Sequence, residues 1–581
     1  MIKSFLPIIE WLPTYERAGL RGDVMAGLAV WAMTVPQALA YAMIAGVPPV
    51  YGLYTVPLAM FAYALFGTSR TLSVGPESAI AIISAITVGG LVARDVNEFI
   101  ALTSLLALVV GTLFLLFGLL RLGWVASFLS QPILQGLVQG IALTVMIGQL
   151  STLVGTEKAA AQLIDELSNL PQMIGLDIEH KGFLLQAWAF LRTLGEASSA
   201  TAAVGFTCLA LLFVFRTFRP FAPSALIASA LAVVAVLFFG LEEFGVRVIG
   251  PVETGMVALS VPELSPGKVV ALLPGAFAIA LLGYAVSLSI ATLGAERTGE
   301  RINPNQELVG LGVANLGAAF SSGFVVCGSL SRGSTVLRTG GKSQVVSLVN
   351  ASLVVLTLLF ALPFFFKLPY ATLSAIVIVA MFGLLDVAYF RRLRQIDNAE
   401  FAYGMATLFG VLLLGILEGV ALGVVLALGV LIRQVSRPAT AVLGRLPATD
   451  TYRDIAVHTN AETIPGLLIF RFDAPVIFPN ASYFADEVLR LIAEAAAPVS
   501  EVLVPAQQIN QLDSTGADRL AKLQAELEGK GIALAFAEVK HTVREKMRQT
   551  GLEGKIGIDH FHRSIDDGVG AFCKRQQARL E

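Results

Sequence analysis

Residues 75–78 read Gly-Pro-Glu-Ser, and the apolar run Ala79–Val92 follows them. Residues 327–334 read Cys-Gly-Ser-Leu-Ser-Arg-Gly-Ser and lie in the opposite half of a strongly apolar chain. Short or interrupted apolar segments in corresponding positions of two halves are typical of a membrane transporter's binding site. Buried helix N-termini offer unpaired N–H groups and the positive end of the helix dipole, which favour an anion. Because Arg332 adds a full positive charge there, the pattern predicts a membrane carrier for a small anion.

Composition places most of the chain in a membrane. Of 581 residues, 56% are hydrophobic and 14% are charged, whereas a soluble domain carries about 25% charged residues. The apolar character fills roughly residues 22–434, and a tail of ordinary soluble composition follows. We therefore expect a cytoplasmic N-terminal segment (1–21), a transmembrane transport domain (22–434) and a cytoplasmic domain with its linker (435–581). A net charge of −2 gives no basis for nucleic-acid binding.

The apolar region divides into about 14 segments near the roughly 20 residues that a spanning helix needs. The third and tenth segments are short, and each follows one of the two polar breaks. The segments form two sets of seven, and the short segment is the third in each set. This arrangement predicts an inverted repeat. The predicted segments are 22–45, 49–68, 77–92, 99–121, 125–150, 199–216, 221–240, 271–294, 307–323, 330–340, 343–366, 370–390, 400–416 and 418–434.

Basic residues near the segment ends predict the orientation. All of them fall on one side if the count of segments is right, and that side should be cytoplasmic. Both termini are then inside, and the N-terminus lacks a cleavable signal-peptide pattern. We expect a multi-pass protein of a bacterial inner (plasma) membrane, with an amphipathic stretch of the loop 152–198 at the interface.

The sequence contains no recognisable cluster of catalytic or metal-binding residues. Cys208, Cys327 and Cys573 are widely spaced, which indicates free thiols. The five histidines lie outside the apolar segments, so none is available within the membrane for a metal or a proton relay. We therefore expect no enzyme activity, no metal and no cofactor.

The soluble tail alternates strand and helix patterns. Leu467–Phe472, Val502–Val504 and Ile532–Phe536 are predicted strands, and helical spacing marks Ser482–Ala497 and His541–Thr550. A further helix begins at Asp513-Ser514-Thr515-Gly516. Alternation of this kind predicts a small α/β domain.

Several motifs resemble the signature of the sulfate permease (SulP) family. They are Pro36-Gln37-Ala38-Leu39-Ala40-Tyr41-Ala42, the run from Ala45 to Tyr54, Phe66-Gly67-Thr68-Ser69-Arg70, Ser73-Val74-Gly75-Pro76, Ile302–Leu308 and Ser329-Leu330-Ser331-Arg332. The tail resembles the sulfate-transporter and anti-sigma-antagonist (STAS) domain that usually ends these proteins. The resemblance covers nearly the whole chain.

This resemblance implies a helical membrane fold of seven plus seven inverted repeats, shared with uracil permease, with core and gate subdomains and usually a homodimer. Substrates of the family include sulfate, bicarbonate, chloride, oxalate and other small anions. The anion site is expected between the facing N-termini of the third and tenth helices. The implied substrate-binding residues are Gln37, Tyr41, Glu77, Ser78, Ala79, Ser329, Leu330, Ser331 and Arg332.

Arg332 is the strongest single candidate, because a charged side chain at mid-membrane costs at least about 2.5–3.5 kcal/mol and needs a partner or a purpose. It either anchors the anion or forms a structural ion pair with Glu77, and the two roles are compatible. Glu77 is an ordinary helix-start residue or a proton-coupling carboxylate. Ser329 and Ser331 donate to the substrate or serve capping and close packing. Gln37 and Tyr41 follow Pro36, which is expected to kink or break the first helix, and they either line the site or pack between helices.

Two departures from the family pattern bear on mechanism. Val286 stands in the eighth segment where many proton-coupled members have a glutamate, which weakens the case for proton symport there. In the tail, Ser514 holds the place of a serine that is phosphorylated in anti-sigma antagonists, and the simpler alternative is that Ser514 and Thr515 cap a helix. Pro505 stands where the STAS domain often has an aspartate, which argues against phosphate switching.

The sequence therefore predicts secondary transport of a small inorganic or organic anion, with sulfate first, as proton symport or anion exchange. Bicarbonate, chloride and dicarboxylates are further candidates. The alternatives are a nucleobase carrier of the same fold, an anion-sensing membrane protein without flux, and an anion channel. The expected partners are the anion, the lipid bilayer, a second copy of the chain and an unidentified cytoplasmic partner of the tail.

Overall fold

A computed structural model describes residues 6–13, 15–92, 95–128, 130–173, 182–219, 222–251 and 259–580. The chain divides into two compact units, the first ending at Ala427 and the second beginning at Leu428. The first unit is helical and apolar, and the second contains a six-stranded sheet.

The first unit contains the predicted membrane segments, and the last of them continues past Ala427 into the second unit. Its helices and two short strands are α1 (Ile8–Trp11), α2 (Leu20–Ile44), α3 (Val50–Phe66), β1 (Val74–Gly75), α4 (Ser78–Gly89), α5 (Val96–Leu119), α6 (Gln131–Val154), α7 (Glu157–Met173), α8 (Phe183–Thr193), α9 (Ser199–Phe218), α10 (Ser224–Phe239), α11 (Pro266–Thr298), α12 (Pro304–Phe320), β2 (Cys327–Gly328), α13 (Leu330–Arg338), α14 (Val345–Leu356), α15 (Leu362–Phe365), α16 (Tyr370–Phe382), α17 (Val387–Ile396), α18 (Asn398–Leu414) and α19 (Ile416–Ser436).

Among the described residues, eight helical stretches are long and apolar enough to cross a membrane, and four shorter apolar helices accompany them. The two remaining predicted segments correspond to α12 and α13. Every predicted segment therefore contains a helix. The loop 152–198 contains α7 and α8, and its residues 174–181 lie outside the described part of the chain.

Three predicted segments are interrupted. The fifth was expected from residue 125, but α6 begins only at Gln131 after a 3-10 turn over Gly123–Phe128, with Pro132 in its first turn. The eleventh contains a π-helical turn, Thr357–Ala361, just before Pro363. The twelfth ends at Phe382, and α17 is a separate helix. Proline explains the first two interruptions, because it removes a helical N–H and clashes with the preceding turn.

Close helix packing in this unit depends on small residues. A β-carbon at Gly111 of α5 would lie 2.9 Å from the Gly312 carbonyl oxygen of α12. A β-carbon at Gly317 of α12 would lie equally close to the Leu58 oxygen of α3. Glycines let membrane helices approach to backbone contact, so α12 packs tightly between α3 and α5.

The second unit contains a mixed sheet in the order β4-β3-β5-β6-β7-β8. Pairs β3–β4 and β3–β5 are antiparallel, and the remaining pairs are parallel. Its elements after α19 are β3 (Thr440–Arg445), β4 (Tyr452–Asp454), β5 (Leu467–Phe472), α20 (Ala481–Glu494), β6 (Glu501–Pro505), α21 (Ser514–Glu528), β7 (Ala533–Ala537), α22 (His541–Gln549), α23 (Leu552–Ile556), β8 (Phe561–His562) and α24 (Ile565–Leu580).

The predicted strands and helices of the tail are present, with boundaries that agree within three residues. Pro505 is the last residue of β6 and does not follow the strand as expected. The core on one side of the sheet is aromatic, with Phe470 and Phe472 packed edge-on against Phe484 of α20. The sequence analysis did not identify β3, β4, β8 and α24.

Candidate functional site

The two polar breaks meet as a two-stranded antiparallel ladder. Val74 pairs with Gly328, and Gly75 pairs with Cys327. The Ser329 N–H also donates to the Ser73 carbonyl at 3.1 Å. Each strand runs within two residues into a short helix, β1 into α4 and β2 into α13. The ladder therefore holds the N-termini of α4 and α13 close together, as the inverted-repeat pattern predicts.

The Arg332 side chain lies in the first turn of α13 and is fully buried. Its Nη1 donates to the Pro76 carbonyl oxygen at 2.9 Å, which joins α13 to the entry of α4. Nε and Nη2 have no hydrogen-bond partner among the described residues. Buried charged donors without acceptors are expensive, so they mark a place where an anionic or polar ligand is stabilised.

Glu77 caps α4. Its carboxylate accepts from the Ala79 N–H at 2.8 Å and from the Ser78 hydroxyl at 3.0 Å. Within the described part of the chain, Glu77 forms no salt bridge with Arg332, so the structural ion pair considered from the sequence is absent from this conformation. The N-terminal donors of α4 are therefore partly occupied by the protein's own carboxylate.

The N-terminus of α13 is different. Ser329 stands at the N-cap position, but its side chain caps no backbone N–H. Its hydroxyl instead lies 3.1 Å from the Ser331 hydroxyl. Ser329 is buried, whereas Leu330 and Ser331 are exposed. The first turn of α13 thus combines a helix N-terminus without a side-chain cap, two hydroxyls and a cation with free donors.

α2 continues through Pro36 without a break. Tyr41 and Gln37 therefore lie on the same face of α2, because they are four residues apart. Both are buried, and Tyr41 interacts with Ser78 at the start of α4. The Gln37 Oε1 has no partner among the residues described. Ala79 is also buried in the first turn of α4. The structure therefore places Tyr41 next to the N-terminus of α4, and Gln37 lies one turn earlier in α2.

Several supporting residues were missed by the sequence analysis. The Ser287 hydroxyl of α11 accepts from the Gly328 N–H at 2.8 Å, and Asn315 of α12 bonds both N–H and C=O of Val326. The Gln344 amide donates to the Ser69 and Leu72 carbonyls. These groups fix the loops on either side of the ladder. Their only sequence signal is that they are polar residues in apolar segments, where a polar group needs a partner.

Glu307 is a further missed residue. Its carboxylate is buried and accepts from the Tyr63 hydroxyl at 2.6 Å, the Thr68 N–H at 2.7 Å and the Ser69 N–H at 2.9 Å, and also from the Thr68 hydroxyl. Glu307 belongs to the motif Ile302–Leu308, and it anchors the loop that leads into β1.

In the second unit, Ser514 is the exposed first residue of α21. The cap of this helix is Asp513, whose carboxylate accepts from the Gly516 N–H at 2.7 Å. The expectation that Ser514 and Thr515 provide the cap was therefore wrong. No group of three His, Cys, Asp or Glu side chains suited to a metal is present in the described ranges.

A search of family models matches residues 20–407 to the sulfate permease family. The chain belongs to the sulfate permease family. Residues 458–568 match the STAS domain. Members of this family are transporters, so the chain is an integral, multi-pass anion transporter rather than an enzyme.

Relatives align over almost the whole chain. A probable sulfate transporter of Mycobacterium tuberculosis is 35% identical over 572 residues, which cover 98% of this chain and 99% of the relative. The chloroplastic sulfate transporter 4.1 of Arabidopsis thaliana is 30% identical over 598 residues, which cover 98% of this chain and 82% of the relative.

Two solved structures share the fold. The overall structure of SLC26A9 has a TM-score of 0.86 at 21% identity and covers 100% of this chain and 94% of its own. The transmembrane domain of the cyanobacterium bicarbonate transporter BicA has a TM-score of 0.58 at 20% identity, over 71% of this chain and 97% of its own. The predicted fold class, seven plus seven helices with core and gate followed by a STAS domain, is confirmed.

Proposed function

We propose that this sulfate permease family member is a secondary carrier that binds a small anion, sulfate first, at the first turn of α13. The observation that carries the proposal is the buried Arg332 guanidinium, whose Nε and Nη2 have no acceptor among the described residues. An anion there would accept charge-assisted hydrogen bonds in a site of low dielectric constant, where such bonds are strong.

Each predicted residue has a role in this proposal. Arg332 supplies the charge, and Ser329 and Ser331 supply hydroxyl donors. Leu330 contributes a backbone N–H of the first turn, which the helix itself does not use. Ser78 and Ala79 form the opposite wall, with Tyr41 and Gln37 at the side. Alternating access then follows from movement of the core against the gate.

Support for sulfate comes from chemistry and from the relatives described above, which are named a probable sulfate transporter and a sulfate transporter. Sulfate is a compact dianion with four acceptor oxygens, so it can accept from both free Arg332 donors and from hydroxyls at once. Bicarbonate, chloride and dicarboxylates offer fewer or differently placed acceptors and are alternative substrates. A neutral nucleobase has no need of a buried cation, which disfavours the nucleobase alternative.

Anion transport is coupled either to protonation of Glu77 or to exchange for a second anion. Val286 leaves α11 without a carboxylate at the position where many proton-coupled relatives have one. Glu77 is then the remaining carboxylate at the site, and protonation would release its bonds to Ala79 N–H and Ser78. We propose Glu77 as the coupling group if transport is proton-driven, and anion exchange if it is not.

We extend the proposal to the surroundings of the carrier. Both termini face the cytoplasm of a bacterial plasma membrane, residues 435–581 form the cytoplasmic domain, and two copies of the chain form the working unit. The tail binds a cytoplasmic partner. A phosphate on Ser514 would lie next to the Asp513 carboxylate and repel it, so phosphorylation at Ser514 would loosen the start of α21.

Radiolabelled sulfate uptake into proteoliposomes, with and without an imposed proton gradient, tests the proposal. Arg332→Ala and Arg332→Lys are compared with Arg392→Ala, a change at an exposed arginine of α17. We expect Arg332→Ala to reduce uptake at least a hundredfold, because a charged donor in the site is lost, and Arg392→Ala to transport normally. Proton symport would be supported if the proton gradient drives uptake by wild type and has no effect on uptake by Glu77→Gln.

Other outcomes select the alternatives. If bicarbonate, chloride or fumarate is taken up and sulfate is not, that anion is the substrate in place of sulfate. Uracil uptake would support the nucleobase carrier. Anion binding without any flux would support the sensor, and conductance far above carrier turnover would support the channel. Transport that is unchanged in Arg332→Ala would overturn the proposed site.

A further inference from the structure

α13 is too short to span a membrane. Its nine residues from Leu330 to Arg338 extend about 14 Å, less than half of the roughly 30 Å hydrocarbon core. It begins at the substrate site, and residues from Thr339 to Gln344 connect it to α14. The helix therefore runs from the site toward one membrane surface.

α13 has one polar, accessible face. At 3.6 residues per turn, four residues share an arc of about 100°: Ser331, Ser334, Thr335 and Arg338. Ser331 and Arg338 are exposed, and Ser334 and Thr335 are half-buried. The opposite face, with Arg332, Gly333 and Val336, is buried. Hydroxyls and a guanidinium facing hydrocarbon would be costly, so the accessible face lines water.

The polar face ends where α2 begins. A β-carbon at Gly22 would lie 3.0 Å from the Gly340 carbonyl oxygen, directly after α13. The Asp23 carboxylate accepts from the Lys342 N–H at 2.6 Å. Arg338 therefore lies at the membrane end that contains the start of α2, about 10 Å along the helix from Ser331. The basic-residue pattern assigns that end to the cytoplasm.

Arg338 carries a charge that is not neutralised by an ion pair within the ranges that the structure describes. By contrast, Arg70 lies 3.5 Å from the Glu300 carboxylate, and the Asp23 carboxylate is occupied by Tyr15, Lys342 and Ser343. An exposed, unpaired cation at the mouth of a polar path acts on anions in solution.

We propose that the polar face of α13 is a wall of the cytoplasmic access path and that Arg338 steers anions along it to Arg332. The inference rests on the proposed function. At about 10 Å in water, one unit of positive charge changes the local concentration of an anion about twofold per unit of anion charge, or about fourfold for sulfate. Arg338 is thus a specificity-determining residue that favours dianions, outside the binding site itself.

Initial rates of sulfate transport from each side of sided proteoliposomes test this inference. The variants are R338K, R338Q and R338E, with R392Q as the control at an exposed arginine of α17. Ionic strength is varied from about 0.01 M, where the Debye length is about 30 Å, to about 0.15 M, where it is about 8 Å. The same series is repeated with the monovalent anion that wild-type vesicles carry fastest.

From the cytoplasmic side at low salt, we expect R338Q to lower Vmax/KM for sulfate about fourfold and R338E about sixteenfold, at unchanged Vmax. R338K and R392Q should match wild type, and the losses should shrink at the higher salt. Losses that are independent of salt or of the introduced charge would overturn the inference. Absence of all anion flux in wild type would instead overturn the proposed function.

Discussion

Gly75 packs directly against the guanidinium of Arg332. A β-carbon at Gly75 would lie 3.2 Å from Nη2 and 3.5 Å from Cζ of Arg332, with the Met60 methyl at 3.4 Å on another side. The absence of a side chain at Gly75 therefore leaves room for the charge of Arg332. This contact joins the two halves of the chain at the proposed site.

Gly75→Ala should weaken substrate binding without unfolding the protein. The added methyl would displace the guanidinium by a few tenths of an ångström, and we expect KM to rise on the order of threefold to tenfold. Gly89→Ala is the matched control, because a β-carbon there meets no atom within 4 Å. Concentration-dependent uptake by both variants measures the effect, and equal KM values would contradict it.

Ser287→Ala should loosen the ladder. The Gly328 N–H loses the Ser287 hydroxyl at 2.8 Å, and a buried donor without an acceptor costs about 1–3 kcal/mol. Ser289→Ala removes only a bond to the Ala285 carbonyl of the same helix and should be nearly neutral. Thermal unfolding in detergent should show a lower midpoint for Ser287→Ala alone, and identical midpoints would refute this account of Ser287.

Glu307→Gln should be more damaging than its small change in volume suggests. The amide nitrogen would face donors from Tyr63, Thr68 or Ser69 in place of a carboxylate oxygen. We expect a loss of about 3 kcal/mol or more, because charge-assisted bonds are replaced by opposed donors. Glu296→Gln at an exposed position of α11 is the control. Yield and melting temperature of the solubilised protein are the readouts, and a midpoint equal to that of the control would contradict the anchoring role.

The C-terminal unit should lose stability below neutral pH through His562. Burial, together with the neighbouring Arg575 charge, lowers the pKa of His562 below its usual value near 6.5. Glu501 and Asp567 act in the opposite direction, and His560 adds to the lowering. Because the folded pKa is depressed, the stabilisation is complete above pH 6.5 and is lost as the pH falls through the folded value.

Hydrogen exchange of β6 to β8 in the full-length protein checks this expectation. After correction for intrinsic rates, protection should fall between pH 7.5 and pH 5.5 in wild type and change less in His562→Gln. His541→Gln serves as the control, since His541 lies on an exposed part of α22. The same pH response in His562→Gln and in wild type would show that another group is responsible.

The sequence predicted the parts of the site that have a chemical signature. Gly75-Pro76-Glu77-Ser78 and Ser329–Arg332 stand out because polar residues in apolar segments require a reason, and both stretches do begin short helices. The strand Leu467–Phe472 was predicted to the residue, because it has a suitable length for a strand and is apolar at every position except Arg471.

Other parts had no local signal. Strands β1 and β2 are two residues each, too short for any periodicity, and their pairing depends on residues some 250 positions apart. The free donors of Arg332 and the capping by Glu77 are properties of three-dimensional geometry. The break between α16 and α17 did have a local signal, which was overlooked: Gly383 is the C-cap of α16, and Asp386 caps α17 by accepting from the Tyr389 N–H.

The ladder also fixes when the site can form during synthesis. The backbone groups of Val74 and Gly75 have left the ribosome long before Cys327 and Gly328 are made, so the first half of the protein must enter the bilayer with this strand unpaired. Folding intermediates that hold only the first repeat therefore lack half of the proposed anion site. The site can form only after the second half of the chain has been made.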